Sequence, residues 1–138
     1  MKVRNIDLIN YNNILNGFAE KHLPQRISFA ITKNLMTISK ELEPYQKSLE
    51  KIIESYKDFF VKDEKGEVVK LSVGIPEVDI DHMDDYIKDV DELLSVEIDV
   101  ELYTIEEDVF DYEDSERYDA MSATDILALR SVLCEKKS

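Results

Sequence analysis

Residues 31–59 read ITKNLMTISKELEPYQKSLEKIIESYKDF. Large apolar side chains stand at Ile31, Leu35, Ile38, Leu42, Tyr45, Leu49, Ile52, Tyr56 and Phe59, with gaps of 4, 3, 4, 3, 4, 3, 4 and 3. This is the seven-residue repeat of a helix that lays one narrow stripe against a partner helix. Pro24, just upstream, disfavours helix at Leu23 and suits the first turn of a new one. The reading is a helix from about Pro24 to Phe60, roughly 50 Å or more if unbroken. Pro44 removes one backbone bond and clashes with the Lys40 carbonyl, so a kink or a break is expected there. The repeat continues in phase across Pro44, which favours a kink.

Outward from this rod, Asn5 or Asp7 caps a first helix reaching about His22, with Leu8, Tyr11, Leu15, Phe18 and His22 on one side. It folds back on the start of the rod, where Ile27, Phe29 and Ala30 widen the apolar surface. Because it is about half as long, the seam beyond Leu42 needs another cover, either the C-terminal helices or a second subunit. Residues 61–69 read as a hairpin turning at Asp63–Gly66, with Gly66 left-handed. Val69, Leu71 and Val73 alternate as a strand, ended by Gly74 and Pro76. A third helix, capped by Asp79 or Asp81, turns Met83, Tyr86, Ile87, Val90, Leu93 and Leu94 to one side and acids to the other. Val96–Leu102 is the clearest strand, and its expected partner is Val69–Val73. Ser122-x-x-Asp125 resembles a capping box before a short last helix. The fold class is therefore α+β and mainly helical: an N-terminal antiparallel helical hairpin, a small antiparallel sheet and two short helices. One domain over 1–138 is expected, with a hairpin at 1–61 and an acidic α+β lobe at 62–138.

Charge divides along the chain. Residues 1–75 hold 12 Lys/Arg and 10 Asp/Glu, whereas residues 76–138 hold 5 and 21, which together give the net −14. Such a chain lacks the cations a nucleic-acid binder needs for phosphates, and no direct nucleic-acid contact is expected. A basic protein partner suits it, because the negative field speeds approach. The carboxylates offered to that partner are Asp84, Asp85 and Asp89 on the third helix, Glu97, Asp99 and Glu101 on the outer side of the strand, and Asp108, Asp111, Glu113 and Asp114 in the acidic run.

Catalytic and metal chemistry finds no foothold. Two His and one Cys, at 22, 82 and 134, have no ligand spacing, and the acidic runs lack the glycine and closing Glu of a calcium loop. Three isolated glycines make neither a dinucleotide fingerprint nor a P-loop. Cys134 falls near a helix C-terminus, where a thiolate is disfavoured. The expectation is a protein that is not an enzyme and needs no cofactor or metal. A single cysteine suits a reducing compartment, no apolar run approaches the roughly 18–20 residues of a membrane span, and MKVRNIDLIN lacks the apolar core of a signal peptide. A cytosolic protein without a membrane contact is the corresponding expectation.

One string carries a likeness. Leu23-Pro24-Gln25-Arg26-Ile27-Ser28-Phe29-Ala30-Ile31-Thr32-Lys33-Asn34, followed by a charged helix, Asp63-Glu64-Lys65-Gly66 and an Asp-rich helix, resembles a group of small phage and prophage proteins. Those share an LPxKxSFxxxKN-like start, a D-E-x-G turn, and a late strand and short helix. Here Arg26 replaces the Lys, and the 105–119 stretch is longer and more acidic. The resemblance implies a phage-associated protein in the host cytosol and supplies no assigned activity. Leu23-Pro24 reads as an interhelix corner, Phe29 as core and Ser28 as a close-approach residue. Arg26, Lys33 and Asn34 either line a ligand or interface surface or hydrogen-bond locally at the corner. The leading functional reading is an interaction protein whose acidic lobe modulates a basic host factor, such as a nucleic-acid-handling or defence protein. The alternatives are a self-assembling morphogenesis component, pairing through the Leu42–Phe59 seam, and a nucleotide-sequestering protein.

Overall fold

The computed structural model describes residues 1–112 and 118–135. Among them the protein is mainly helical, with one small antiparallel sheet, an α+β architecture. Two compact units make up the chain: Met1–Leu42 together with Ile98–Ser138, and Glu43–Glu97. The chain thus divides near Leu42 and Glu97 rather than at residue 61.

The first unit is built on two helices. Strand β1 (Lys2–Arg4) leads into α1 (Asn5–Asn16). Arg4, not Asn5, occupies the N-cap; its backbone N–H donates to Asp7 Oδ2 at 3.0 Å and its guanidinium pairs with the same carboxylate. The helix stops at Asn16 instead of reaching His22. Gly17 closes it, and turns carry Phe18 inward and leave His22 exposed. With Pro24 as N-cap, α2 (Gln25–Glu41) begins where the proline predicts, and α1 folds back on it as an antiparallel hairpin. Ser28 Oγ donates to the Leu23 carbonyl at 3.2 Å, tightening the corner.

The remaining wall comes from the end of the chain. A 3-10 turn at Glu107–Phe110 buries Phe110 and packs on α2. Helix α5 (Ala123–Leu133) carries the capping box foreseen at Ser122 and Asp125 and buries Leu129, Val132 and Leu133. Leu8, Leu15, Leu23, Ile27, Ile38 and Leu129 are completely shielded. Removing that much apolar surface from water is what holds the unit together.

Strand β2 is only Glu97–Asp99, and its partner is β1 at the N-terminus, not Val69–Val73. The Val100 N–H donates to the Met1 carbonyl at 2.9 Å, and the N-terminal ammonium lies 3.3 Å from Asp99 Oδ1. Alternation identified a strand here correctly; it carries no information about which partner takes it.

The long rod is two helices. α2 ends at Glu41, and α3 (Glu43–Ser55) starts two residues later, with Pro44 in its first turn. Leu42 between them keeps right-handed dihedrals (φ −85°, ψ −7°) and still donates to the Ile38 carbonyl at 2.9 Å. The missing Pro44 N–H leaves the Lys40 carbonyl without its ladder bond, and the helix is interrupted at Leu42. After Ser55 a 3-10 turn at Lys57–Phe59 finishes the segment short of Phe60.

In the second unit α3 packs on α4 (Ile80–Leu94). Tyr56 meets Tyr86 and Asp89, and Phe59 meets His82, so the two helices run antiparallel. The cover required by the second half of the seam is therefore this helix. The hairpin expected at 61–69 is present, with Asp63 N–H donating to the Glu67 carbonyl at 2.9 Å, whereas Val69–Val73 forms no strand. Val61 N–H donates to the Glu77 carbonyl, Glu77 N–H to Val69, and Val69 N–H to Val61, a closed ring of bonds at 2.8–2.9 Å. Three isolated antiparallel bridges accompany it, Phe60 with Val78, Lys62 with Val68 and Lys70 with Pro76. Gly66 adopts the left-handed conformation (φ +80°) expected of the Asp63 turn, whose side chain accepts from Lys65 and Glu67 N–H.

Candidate functional site

Helix α4 owes its start to Asp79. Asp79 Oδ1 accepts the His82 backbone N–H at 3.1 Å and lies 2.6 Å from His82 Nδ1, while the imidazole stacks on Phe59 at 3.6 Å. The helix's inner side is anchored by Tyr86, fully buried with its hydroxyl donating to the Pro76 carbonyl at 2.8 Å, and by Val90. Asp89 lies at the edge of that side. It accepts the Tyr56 hydroxyl at 2.8 Å, and this bond, with partial burial and the Asp89 charge, pushes the Tyr56 phenol up to about 12. Asp89 is thus a structural acceptor.

The rest of the helix surface is anionic. Asp81, Asp84, Asp85, Asp91 and Glu92 are exposed, with Lys88 the one cation on α4. Among the described residues none of these five side chains is in an ion pair. Asp91 and Glu92 lie in the last turn, where the negative end of the helix dipole disfavours them. Asp84, Ile87 and Asp91 also line a shallow open groove that continues to Ser95 and Val96. Asp81, Asp91 and Glu92 were absent from the predicted partner set, although the helical spacing that selects Asp84 and Asp85 selects them equally.

The other predicted carboxylates do not form one lobe. Glu97 ends the second unit, whereas Asp99, Glu101, Asp108 and Asp111 belong to the first, all five exposed. Asp99 is paired with the N-terminal ammonium. Glu113 and Asp114 lie outside the described residues.

Asn34 is neither a surface ligand residue nor a local corner contact. It is completely buried; its Nδ2 donates to the Tyr103 carbonyl at 2.9 Å and its Oδ1 accepts the Tyr103 N–H at 2.7 Å. The amide imitates a strand partner and pins the chain after β2 onto α2. Arg26 and Lys33 remain exposed, and their side chains have no hydrogen bond or ion pair to a described residue. Phe29, expected in the core, is 55% exposed and rests edge-to-face on Tyr103 with ring centres 5.3 Å apart. No family model, curated protein or solved structure matches this chain.

Two further features bear on chemistry. A partly enclosed hollow in the first unit is lined by Met1, Tyr11, Val100, Leu102, Val132 and Cys134. Burial, then the Glu107 charge, pushes the Cys134 thiol up, opposed by Arg130, which itself pairs with Glu107 at 2.9 Å. A thiol held protonated is a poor nucleophile. Among the described residues no three His, Cys, Asp or Glu side chains gather as a metal site. No helix among them is long and apolar enough to cross a membrane.

Proposed function

We propose that this protein is a non-enzymatic interaction protein that holds a basic segment of a partner protein against the outer face of α4. The observation carrying the reading is the set of five exposed carboxylates on one helix, unneutralised and continued into the turn where the dipole opposes them. A surface tuned only for stability would place Lys or Arg there. The partner chemistry is a run of lysines and arginines, of the kind that elsewhere meets phosphate, with the carboxylates in the phosphates' place. In the phage setting that the 23–34 string suggests, a host nucleic-acid-handling or defence factor has such a surface.

The test is a fluorescent lysine- and arginine-rich peptide titrated with the purified chain at low and high salt. Affinity falls roughly tenfold or more across that range, because the contact is between exposed charges that salt screens. The D84N/D85N/D91N/E92Q variant loses the binding and keeps its circular dichroism. Binding that ignores salt, or survives the four neutral substitutions, overturns the proposal.

A further inference from the structure

The outward face of α2 carries a second seven-residue repeat. Arg26, Phe29, Lys33, Met36 and Lys40 follow one another with gaps of 3, 4, 3 and 4. All five are exposed, Phe29 by 55% and Met36 by 69%, and the three cations have no ion pair with a described residue. The core-facing side of the same helix is a different row, Ile27, Ile31, Asn34 and Ile38. An exposed stripe in which large apolar groups alternate with cations at helix-pairing spacing is a docking surface in search of an anionic helix.

Such a helix is present in the same sequence. On α4 the row Ile80, Asp84, Ile87 and Asp91 has gaps of 4, 3 and 4; Ile80 is 90% exposed, and Ile87 lies in the open groove with the two Asp. Laid parallel, the two stripes match layer by layer at a constant offset of 51 positions. Phe29 meets Ile80, Lys33 meets Asp84, Met36 meets Ile87 and Lys40 meets Asp91. In the antiparallel sense, a register that sets Lys33 against Asp84 brings Phe29 to Ile87, Met36 to Ile80 and Arg26 to Asp91. Either direction therefore stacks apolar on apolar and cation on anion, layer by layer.

We infer that α2 of one copy docks on α4 of a second copy of this chain, through alternating apolar and cation–Asp layers. The interface uses no part of the Leu42–Phe59 seam and is distinct from the assembly mode expected from that seam. The two faces differ, so the contact is heterologous and yields dimers or larger species.

Charge complementation tests it. Sedimentation of the full chain at low salt shows association that high salt reverses. K33E/K40E sets Glu against Asp, D84K/D91K sets Lys against Lys, and each variant alone sediments as a monomer. Mixing the two restores association, because the Glu face of one variant meets the Lys face of the other. Cysteines at M36C in one copy and I87C in the other report a parallel pair, and M36C with I80C, two layers away, an antiparallel one; one of these pairs cross-links at least fivefold more than the other, and equal or absent cross-linking overturns the inference. Circular dichroism and thermal unfolding establish that both variants are folded. Wild-type chain that stays monomeric at low salt up to millimolar concentration overturns the inference, as do folded variants that still associate or a mixture that does not. Peptide binding by K33E/K40E, which leaves α4 intact, separates this outcome from failure of the partner-binding proposal.

Discussion

The two halves of the apolar repeat share one spacing and differ in depth. Ile31, Ile38 and Leu42 are buried in the first unit, with Leu35 half-buried. Tyr45, Leu49, Ile52, Tyr56 and Phe59, continuing the same rhythm in the second, are all half-buried, and α3 has no fully buried residue. In the first unit α1, α5 and the Glu107–Phe110 turn build a core with α2, whereas α3 packs chiefly on one helix, α4. Periodicity selects which face turns inward; the number of elements packed around it sets how completely water is removed.

That contrast is open to measurement. Ile38→Ala is expected to cost about 3–4 kcal/mol, because a fully enclosed site leaves a cavity, and Ile52→Ala about 1–2 kcal/mol, because a half-exposed site loses less on truncation. Denaturant unfolding of the two variants reads the difference, and equal losses would erase the distinction between the halves. Asn34→Ala comes next, at about 2–3 kcal/mol, since it strands the Tyr103 N–H and carbonyl that the amide now satisfies. Faster amide exchange at Tyr103 is the specific sign; a variant that is merely less stable without it contradicts the bracket.

Smaller effects belong to the second unit. Gly66→Ala is expected to cost about 1 kcal/mol from its left-handed backbone alone, because a Cβ there meets nothing within 4 Å. Alkali probes the Tyr56–Asp89 bond. A phenol raised from 10 to about 12 stabilises the fold fully below pH 10, and that contribution drains away as pH climbs through 12. Tyr56→Phe flattens this part of the melting-temperature profile, and the slope that remains comes from Tyr86, Tyr45 and Cys134, raised by burial, and from Lys57, raised by its bond to Glu54. An unchanged profile would mean that the hydroxyl bond is not formed in solution. Least of all, Glu92→Gln raises stability by about 0.3–1 kcal/mol by removing a charge the helix dipole opposes, while weakening peptide binding. A variant that gains stability and binds as before would sever the acidic face from function.

Much of the architecture was legible because the signals are local. Pro24, Asp79, the Ser122–Asp125 box and Gly66 each act through backbone groups within a few positions, and each lies where its chemistry directs. The Val96–Leu102 strand was legible in kind, but its partner was not, since β1 at the chain's start satisfies its bonds as well as Val69–Val73 would. Phe29 shows the opposite failure: an aromatic next to a core row resembles core until the helix's rotation is known. Asn34 shows a third. A polar residue beside an apolar seam carries no mark that the backbone of Tyr103, 69 positions away, will satisfy it.

By itself, then, the order of residues determined the helical segments, most of their inward-facing residues, the starts of α2, α4 and α5 and the surplus of carboxylates on α4, because each follows from side chains a turn or two apart. Tertiary structure decided the rest. It divided the rod at Leu42 between two compact units, gave β2 to the N-terminus and assigned Asp89 and Asn34 to structural bonds. It also left the alternating stripe of α2 facing solvent. Those outcomes depend on which distant segments compete for the same apolar faces and backbone groups, and that competition is resolved only when the whole chain packs.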